Sequence, residues 1–280
     1  MANRVAKPRS HQKRQTRLVM MYHADCHDVL PTLPANSLQL VLEDMPYFKT
    51  NLDFDCTLSV GKNGKGKPID YSTRAGRQAV EAYLEAHLQA LLPACAPNAV
   101  LVFTSKQPFA TILNYVFADY WVDEAVWVKS NHTNPFCLKR KIASKHEIIS
   151  VFALGKKYTF NPQILPGKPY TGFESTTGKT VGKVNGSAKS VHYANEGTRY
   201  QSSLLDFARE YGLHPTQKPL GLFRALVRMF SNQDDTVFDG FAGSGTTAIA
   251  CLHENRKYIC CEKDSIYFEK AQERIQKLKL

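Results

Sequence analysis

Thr236-Val-Phe-Asp-Gly-Phe-Ala-Gly-Ser-Gly-Thr-Thr-Ala248 is an apolar run that breaks into glycines and then resumes as helix-forming sequence. Thr236 to Phe238 are β-prone, and Thr246 to Leu252 predict a helix. Between them Gly240, Gly243 and Gly245 let the backbone turn with no Cβ in the way. Strand, tight turn and helix in that order aim backbone N–H groups at a ligand. Gly243-x-Gly245-x-x-Ala248 fits the looser form of the dinucleotide fingerprint, and the acidic Glu262 follows a second β-prone run, Lys257 to Cys261. An acid so placed can take two ribose hydroxyls. Gly240 and Gly245 have the spacing of a mononucleotide P-loop, but Thr246 stands where the phosphate-binding lysine belongs, and triphosphate binding is rejected. What remains is an adenosine-containing ligand: a nicotinamide or flavin dinucleotide, or S-adenosylmethionine.

The start of the chain supplies a second strand end with chemistry on it. Leu18 to His23 reads as a strand ending at Asp25-Cys26, and Asp28 to Pro34 as a short helix and turn. Ser37-Leu-Gln-Leu-Val-Leu-Glu43 then reads as a buried parallel strand running into Asp44-Met-Pro-Tyr47. A carboxylate, a proline-stiffened turn and an aromatic ring thus stand at the carboxyl end of a strand, the edge where open α/β sheets bind ligands. Taken alone, the four residues also suit an ordinary strand-ending turn.

Joined with the glycine turn, this tetrapeptide resembles the signature of the DNA amino-methyltransferases, Asp/Asn/Ser-Pro-Pro-Tyr/Phe/Trp beside Phe-x-Gly-x-Gly. The order, tetrapeptide first and glycine turn late, resembles the β-type (circularly permuted) members of the adenine-N6/cytosine-N4 family. Ala24-Asp25-Cys26 looks like the family's Gly-Asp-Cys, and His214-Pro-Thr-Gln-Lys-Pro219 like the segment opening the helix before the cofactor strand. Two positions depart from the pattern: Met45 replaces the first proline, and Gly240 replaces the proline usual after Asp239. The resemblance implies an α/β, Rossmann-like, S-adenosylmethionine-dependent methyltransferase fold, with a mostly parallel sheet, helices on both faces and a target-recognition insertion. It implies catalysis by Asp44, Met45, Pro46 and Tyr47 on a base flipped out of duplex DNA. The cofactor would be held by Asp25, Cys26, Thr216, Lys218, Phe238, Asp239, Gly240, Phe241, Gly243, Ser244, Gly245, Thr246 and Glu262. In that scheme Asp25 reads the adenine amine, Asp239 lies near the methionine ammonium, and Lys218 or Thr216 meets its carboxylate. An aspartate opening the tetrapeptide favours adenine as the target, cytosine-amine enzymes more often having serine there. Cytosine-N4 methylation, RNA or protein-glutamine methylation, a dinucleotide oxidoreductase and a catalytically silent DNA-binding relative stay open as alternatives. The oxidoreductase leaves Asp44 to Tyr47 unexplained.

Charge points the same way. Thirty-six Lys and Arg against 25 Asp and Glu give a formal charge of +11 in 280 residues, which suits a polyanionic partner such as double-stranded DNA. Seven cysteines in no paired spacing argue against disulfides and against zinc, and none of the nine histidines has a metal-ligand spacing, so no metal is expected. No apolar run approaches the roughly 20 residues that span a bilayer. A cytoplasmic enzyme, bacterial or phage-encoded, is the expectation. The resemblance allows a restriction-modification role with a cognate nuclease, and a homodimer, without deciding either.

The chain divides as follows. Residues 1–17 carry six Lys and Arg and no acid, a basic flexible arm. Residues 18–160 form the catalytic half, containing a mobile basic loop, 51–71, where Lys62 and Lys65 are candidate DNA contacts. Within that half, helices are predicted over Gln78 to Leu92 and Gln107 to Ala118, and a buried strand over Ala99 to Thr104. Glu124 to Lys129 and Glu147 to Phe152 read as the sheet's last, partly antiparallel pair. The loop between them bears Lys139, Arg140 and Lys141, with Phe136 nearby, as further DNA-contact candidates. Residues 161–213 change to Gly, Ser, Thr and Lys with scattered aromatics and no period, read as the target-recognition insertion. Residues 214–280 form the cofactor-binding half, closed by a helix over Ser265 to Leu278 with Ile266, Ala271, Ile275 and Leu278 inward.

Overall fold

The computed structural model describes residues 19–50, 52, 55–56, 58, 66–133, 138–173 and 192–279. The basic arm at 1–17 and the loop lysines Lys62 and Lys65 lie outside the described residues, as do Phe136 and the middle of the insertion, 174–191.

Among the described residues eight strands make the main sheet, and their sequences show why. In β3 (Cys95–Ser105) the alternate residues Val100 and Val102 pack on one side, and Leu101 and Phe103 on the other. A strand covered on both faces must be apolar on both, so it reads as a continuous run. Burying Phe103 completely contributes on the order of 2 kcal/mol. The other strands are β1 (Val19–His23), β2 (Leu38–Glu43), β4 (Trp121–Thr133), β5 (Ser144–Ala153), β10 (Leu204–Asp206), β11 (Thr236–Asp239) and β12 (Lys257–Glu262). Their order is β1-β12-β11-β2-β3-β5-β4-β10. Every neighbouring pair is parallel except the two that β5 makes, with β3 and with β4.

Helices α1 (Cys26–Val29), α2 (Arg74–Leu91) and α3 (Phe109–Val116) cover one face. The other is covered by α4 (Leu220–Phe230), α5 (Thr246–His253) and α6 (Ser265–Lys279). Helix α2 begins four residues before the apolar periodicity does, because Thr73 caps it by accepting the Gly76 N–H at 3.0 Å. In α6, Ala271 and Ile275 are buried as expected, but Ile266 and Leu278 are 61% and 44% exposed. The inward face is narrower than the sequence suggests, because α6 lies at the sheet's edge.

β4 and β5 form the expected partly antiparallel pair, but they are not the last in the sheet. Only β5 runs against the sheet, and β10, from the stretch read as an insertion, adds the edge strand. Other described residues of that stretch make two short ladders, β6 (Ile164–Pro166) with β9 (Thr198–Tyr200) and β7 (Tyr170–Phe173) with β8 (His192–Asn195). No helix among the described residues is long and apolar enough to cross a membrane.

Candidate active site

β2 and β11 are neighbours, so Asp44–Tyr47 and the glycine turn leave the sheet side by side although Glu43 and Gly240 are 197 residues apart. Between them opens a cavity of 420 Å³, within the range of small-molecule sites. All four tetrapeptide residues border it, as do Asp25, Cys26, Thr216 and Lys218. On the glycine side Asp239, Gly240, Phe241, Gly243, Ser244, Thr246 and Glu262 complete the wall. Two expected residues lie elsewhere. Phe238 is fully buried in the core, and Gly245, in the left-handed region at φ 76°, serves packing: a methyl there would come within 3.0 Å of the Ala271 Cβ.

Asp44 is held from several directions. Its Oδ1 accepts the Tyr47 hydroxyl at 2.7 Å and the Thr104 hydroxyl at 2.6 Å, and its Oδ2 is ion-paired with Lys218. Lys218 also lies 3.4 Å from Glu147, which is in turn ion-paired with Lys129. Two carboxylates and two ammonium groups thus neutralise one another in a largely buried network. Burial works against the Glu147 carboxylate, but Lys218 and Lys129 outweigh it and hold the group below its ordinary range. Burial, then the Asp44 and Glu147 charges, push the Tyr47 phenol well above its ordinary range, so it remains a hydrogen-bond donor. Lys218, expected at the cofactor's carboxylate, is therefore committed to Asp44 and Glu147. Thr216 is tied through its N–H and hydroxyl to His214 Nδ1 at 3.2 and 3.1 Å. Burial takes that histidine down to about 4.

The turn has its own acids. Asp239 accepts the Thr247 hydroxyl and the Phe241 N–H, the latter at 2.9 Å. Burial, reinforced by the Glu43 and Asp44 charges, still pushes its carboxyl up to about 8. Glu262 accepts the N–H of Gly243 at 2.7 Å and of Asp264 at 2.8 Å, which fixes it at the end of β12. Asp25 caps α1 by accepting the His27 N–H at 3.0 Å.

Both departures from the family pattern have local causes. Met45 is 2% exposed, its side chain filling the core on the α2 face. Gly240 donates its N–H to Glu43 Oε1 at 3.0 Å, and a Cβ there would meet Glu43 Oε1 at 2.8 Å and Cys26 Cβ at 2.9 Å. Proline could neither make that bond nor fit that space. Gly240→Pro is expected to lower stability in urea unfolding by about 2–4 kcal/mol. Because Glu43→Ala breaks the same bond, the double variant is expected to lose less than the sum of the two singles.

Lys139, Arg140 and Lys141 do not border the cavity; all three are exposed in the turn between β4 and β5. Because β4 is parallel to β2, that turn leaves the sheet at the same carboxyl rim as the tetrapeptide. Lys49, beside the tetrapeptide, is lowered by burial and by the charge of Lys141, which places the two near each other. The residues that sequence reasoning missed are Glu43, His87, Thr104, Lys129 and Glu147. Lys129 and Glu147 stand among other polar residues in β4 and β5, so the sequence did not single them out.

Comparison with known proteins agrees with this arrangement. A family model described as DNA methylase, of the N6/N4 methyltransferases, matches residues 38–273. The type II methyltransferase M.HpaI of Haemophilus parainfluenzae is 27% identical over 249 residues, 88% of this chain and 70% of its own. The DNA adenine methyltransferase YhdJ of Escherichia coli is 26% identical, covering 90% of this chain and 81% of its own. Among solved structures, the cytosine-N4-specific PvuII DNA methyltransferase superposes with a TM-score of 0.62 at 16% identity, covering 92% of this chain and 90% of that one. An M1.HpyAVI complex with S-adenosylmethionine gives 0.55 at 20%, covering 92% and 99%. The order of strands, the paired strand ends and a family model spanning most of the sequence converge: this chain belongs to the N6/N4 DNA methylase family.

Proposed function

We propose that this protein transfers methyl from S-adenosylmethionine to the exocyclic N6 amine of adenine in duplex DNA, in a site-specific manner. The observation that carries this reading is the opening of the tetrapeptide and the glycine turn into one cavity from adjacent strands. The donor set fits the cofactor. Glu262 and Asp25 offer carboxylate oxygens to ribose hydroxyls and the adenine amine, and Phe241, Gly243 and Ser244 line the wall that would face the methionine part. When bound, S-adenosylmethionine supplies an electrophilic methyl on a sulfonium with a good leaving group.

The chain's part is alignment and desolvation. An adenine amine cannot meet a methyl donor inside the stack, so the base is turned out over Asp44–Tyr47. The amine's lone pair is delocalised into its ring. The Asp44 carboxylate and the backbone carbonyl of Met45 accept its two hydrogens, localising the pair and directing it at the methyl. Replacing proline by Met45 leaves that carbonyl in place. Pro46 fixes the turn, and Tyr47, whose hydroxyl is now on Asp44, stacks on the incoming base and yields its place on the carboxylate. Lys139, Arg140, Lys141 and Lys49 meet DNA phosphates at the same rim, with a contribution that weakens as salt rises. Adenine is favoured over cytosine by the aspartate opening the tetrapeptide and by the adenine specificity in the name of YhdJ. The bacterial relatives and the lack of a membrane-crossing helix among the described residues support a cytoplasmic enzyme.

Incubating duplex DNA of mixed sequence with methyl-labelled cofactor, followed by nucleoside analysis, should yield N6-methyladenine; N4-methylcytosine or no labelled base would overturn the reading. Asp239 adds a pH test. With its carboxyl pushed up to about 8, it is mostly protonated at neutral pH, whereas an ammonium beside it requires the anion. Cofactor affinity should therefore rise from about pH 6 toward about 8, by at most tenfold per unit, in calorimetric titrations. Asp239→Asn should flatten that slope.

A further inference from the structure

Beside the cavity, which Asp25 itself borders, a line of polar side chains runs from the end of β1 to the end of β2. Asp25 Oδ1 faces His27 Nδ1 at 2.9 Å, His27 Nε2 faces His87 Nδ1 at 3.2 Å, and His87 Nε2 faces Glu43 Oε2 at 2.8 Å. The tautomers that donate to the two acids put the Nδ1–H of His27 on Asp25 and the Nε2–H of His87 on Glu43. The two remaining ring nitrogens, His27 Nε2 and His87 Nδ1, then meet lone pair to lone pair. Such a contact is repulsive unless a proton or a metal ion lies between them.

A third soft donor is at hand. One ligand atom from each of Cys26, His27 and His87 lies within 4.8 Å of the others, and Cys26 Sγ is 3.7 Å from the near nitrogen of His27, Nδ1. Two nitrogens bound tetrahedrally at about 2.0–2.1 Å from a zinc ion stand about 3.3 Å apart, close to the separation here. Each histidine is also backed by a carboxylate, the arrangement that fixes the tautomer and orientation of metal-bound imidazoles. Cys26 and His87 are buried, while the His27 side chain is 33% exposed, giving an entry side and a fourth position for solvent. The ring of Tyr83 closes the other side, stacked on His87 at 6.3 Å and edge-on to His27 at 5.9 Å.

We propose that Cys26, His27 and His87 form a binding site for a divalent transition-metal ion of the zinc class, apart from the methyl-transfer chemistry. Linear spacing could not reveal it, because His87 arrives on α2 from sixty residues away. On binding, the Cys26 thiol proton leaves to solvent and a sulfur–metal bond forms. Burial pushes that thiol up, so it is not an exposed reactive thiolate when the metal is absent. The bound ion would fix His27 and, through it, the Asp25 carboxylate that borders the cofactor cavity.

The test is optical titration of chelator-treated, desalted full-length protein with Co2+ alone. Tetrahedral d–d bands and a thiolate-to-cobalt charge-transfer band should saturate at one equivalent and be discharged by Zn2+. Cys26→Ser should remove the charge-transfer band, and His27→Gln, on the exposed side and safer for folding than a change at His87, should weaken binding by at least about tenfold. Absence of these bands in the parent protein, or their persistence unchanged in Cys26→Ser, would overturn the proposal. Neither readout depends on methyl transfer.

Discussion

Asp44→Ala is expected to lower the methyl-transfer rate by about 10²- to 10³-fold or more, while cofactor affinity stays within about threefold. The reasoning is geometric. Asp44 stands at the end of β2, where the proposed function puts the base, whereas Asp25 and Glu262, the acids it assigns to the cofactor, stand at the ends of β1 and β12, two strands or more away. Removing the carboxylate takes away the acceptor that orients the amine and leaves the adenosyl contacts in place. Single-turnover rates and equilibrium titration with the cofactor separate the two effects. Equal loss of both would contradict the division of labour.

Lys218→Met is expected to cost about 3–5 kcal/mol of stability, the range for removing one partner from a buried ionic network. Two carboxylates, Asp44 and Glu147, would be left with one ammonium, Lys129. The sign of the pH dependence follows. In the parent protein the lysines hold Glu147 below its ordinary range, so its contribution is full above that range and is lost as pH falls through it. In the variant the surplus carboxylate takes up a proton more readily, so acid relieves the defect. The stability gap between the two proteins should narrow from about pH 7 to about pH 5 in urea unfolding. Turnover should fall with it, because Asp44 loses the partner on its Oδ2. A variant that folds normally but binds cofactor poorly would return Lys218 to the role the sequence suggested.

Much of this was legible before any coordinates. The apolar runs of β2, β3, β11 and β12 announce buried strands because parallel strands are covered on both faces, and the glycine turn declares itself by local backbone demands. The tetrapeptide and turn were readable as a pair because each is contiguous in sequence. What was not legible depends on which strands become neighbours. Lys129, Glu147 and Lys218 reach Asp44 from three separate elements, and nothing in their own surroundings names that partner. Glu43, Gly240 and His87 likewise explain one another only once β2, β11 and α2 are together. β10 escaped notice because three residues with alternating exposure carry too short a period, and its strand character comes from the β4 edge it meets. Ile266 and Leu278 show the opposite error, a helical stripe read as wider than the surface it covers.

On the proposed function, one cavity holds the methyl donor with its reactive end toward Asp44 and Tyr47. A crystal structure of the protein soaked with S-adenosylmethionine should show the adenine beside Asp25, the ribose hydroxyls on Glu262 and the sulfonium methyl pointing at the Asp44 end of the cavity. Cofactor bound outside that cavity, or inside it with the methyl directed away from Asp44 and Tyr47, would contradict it.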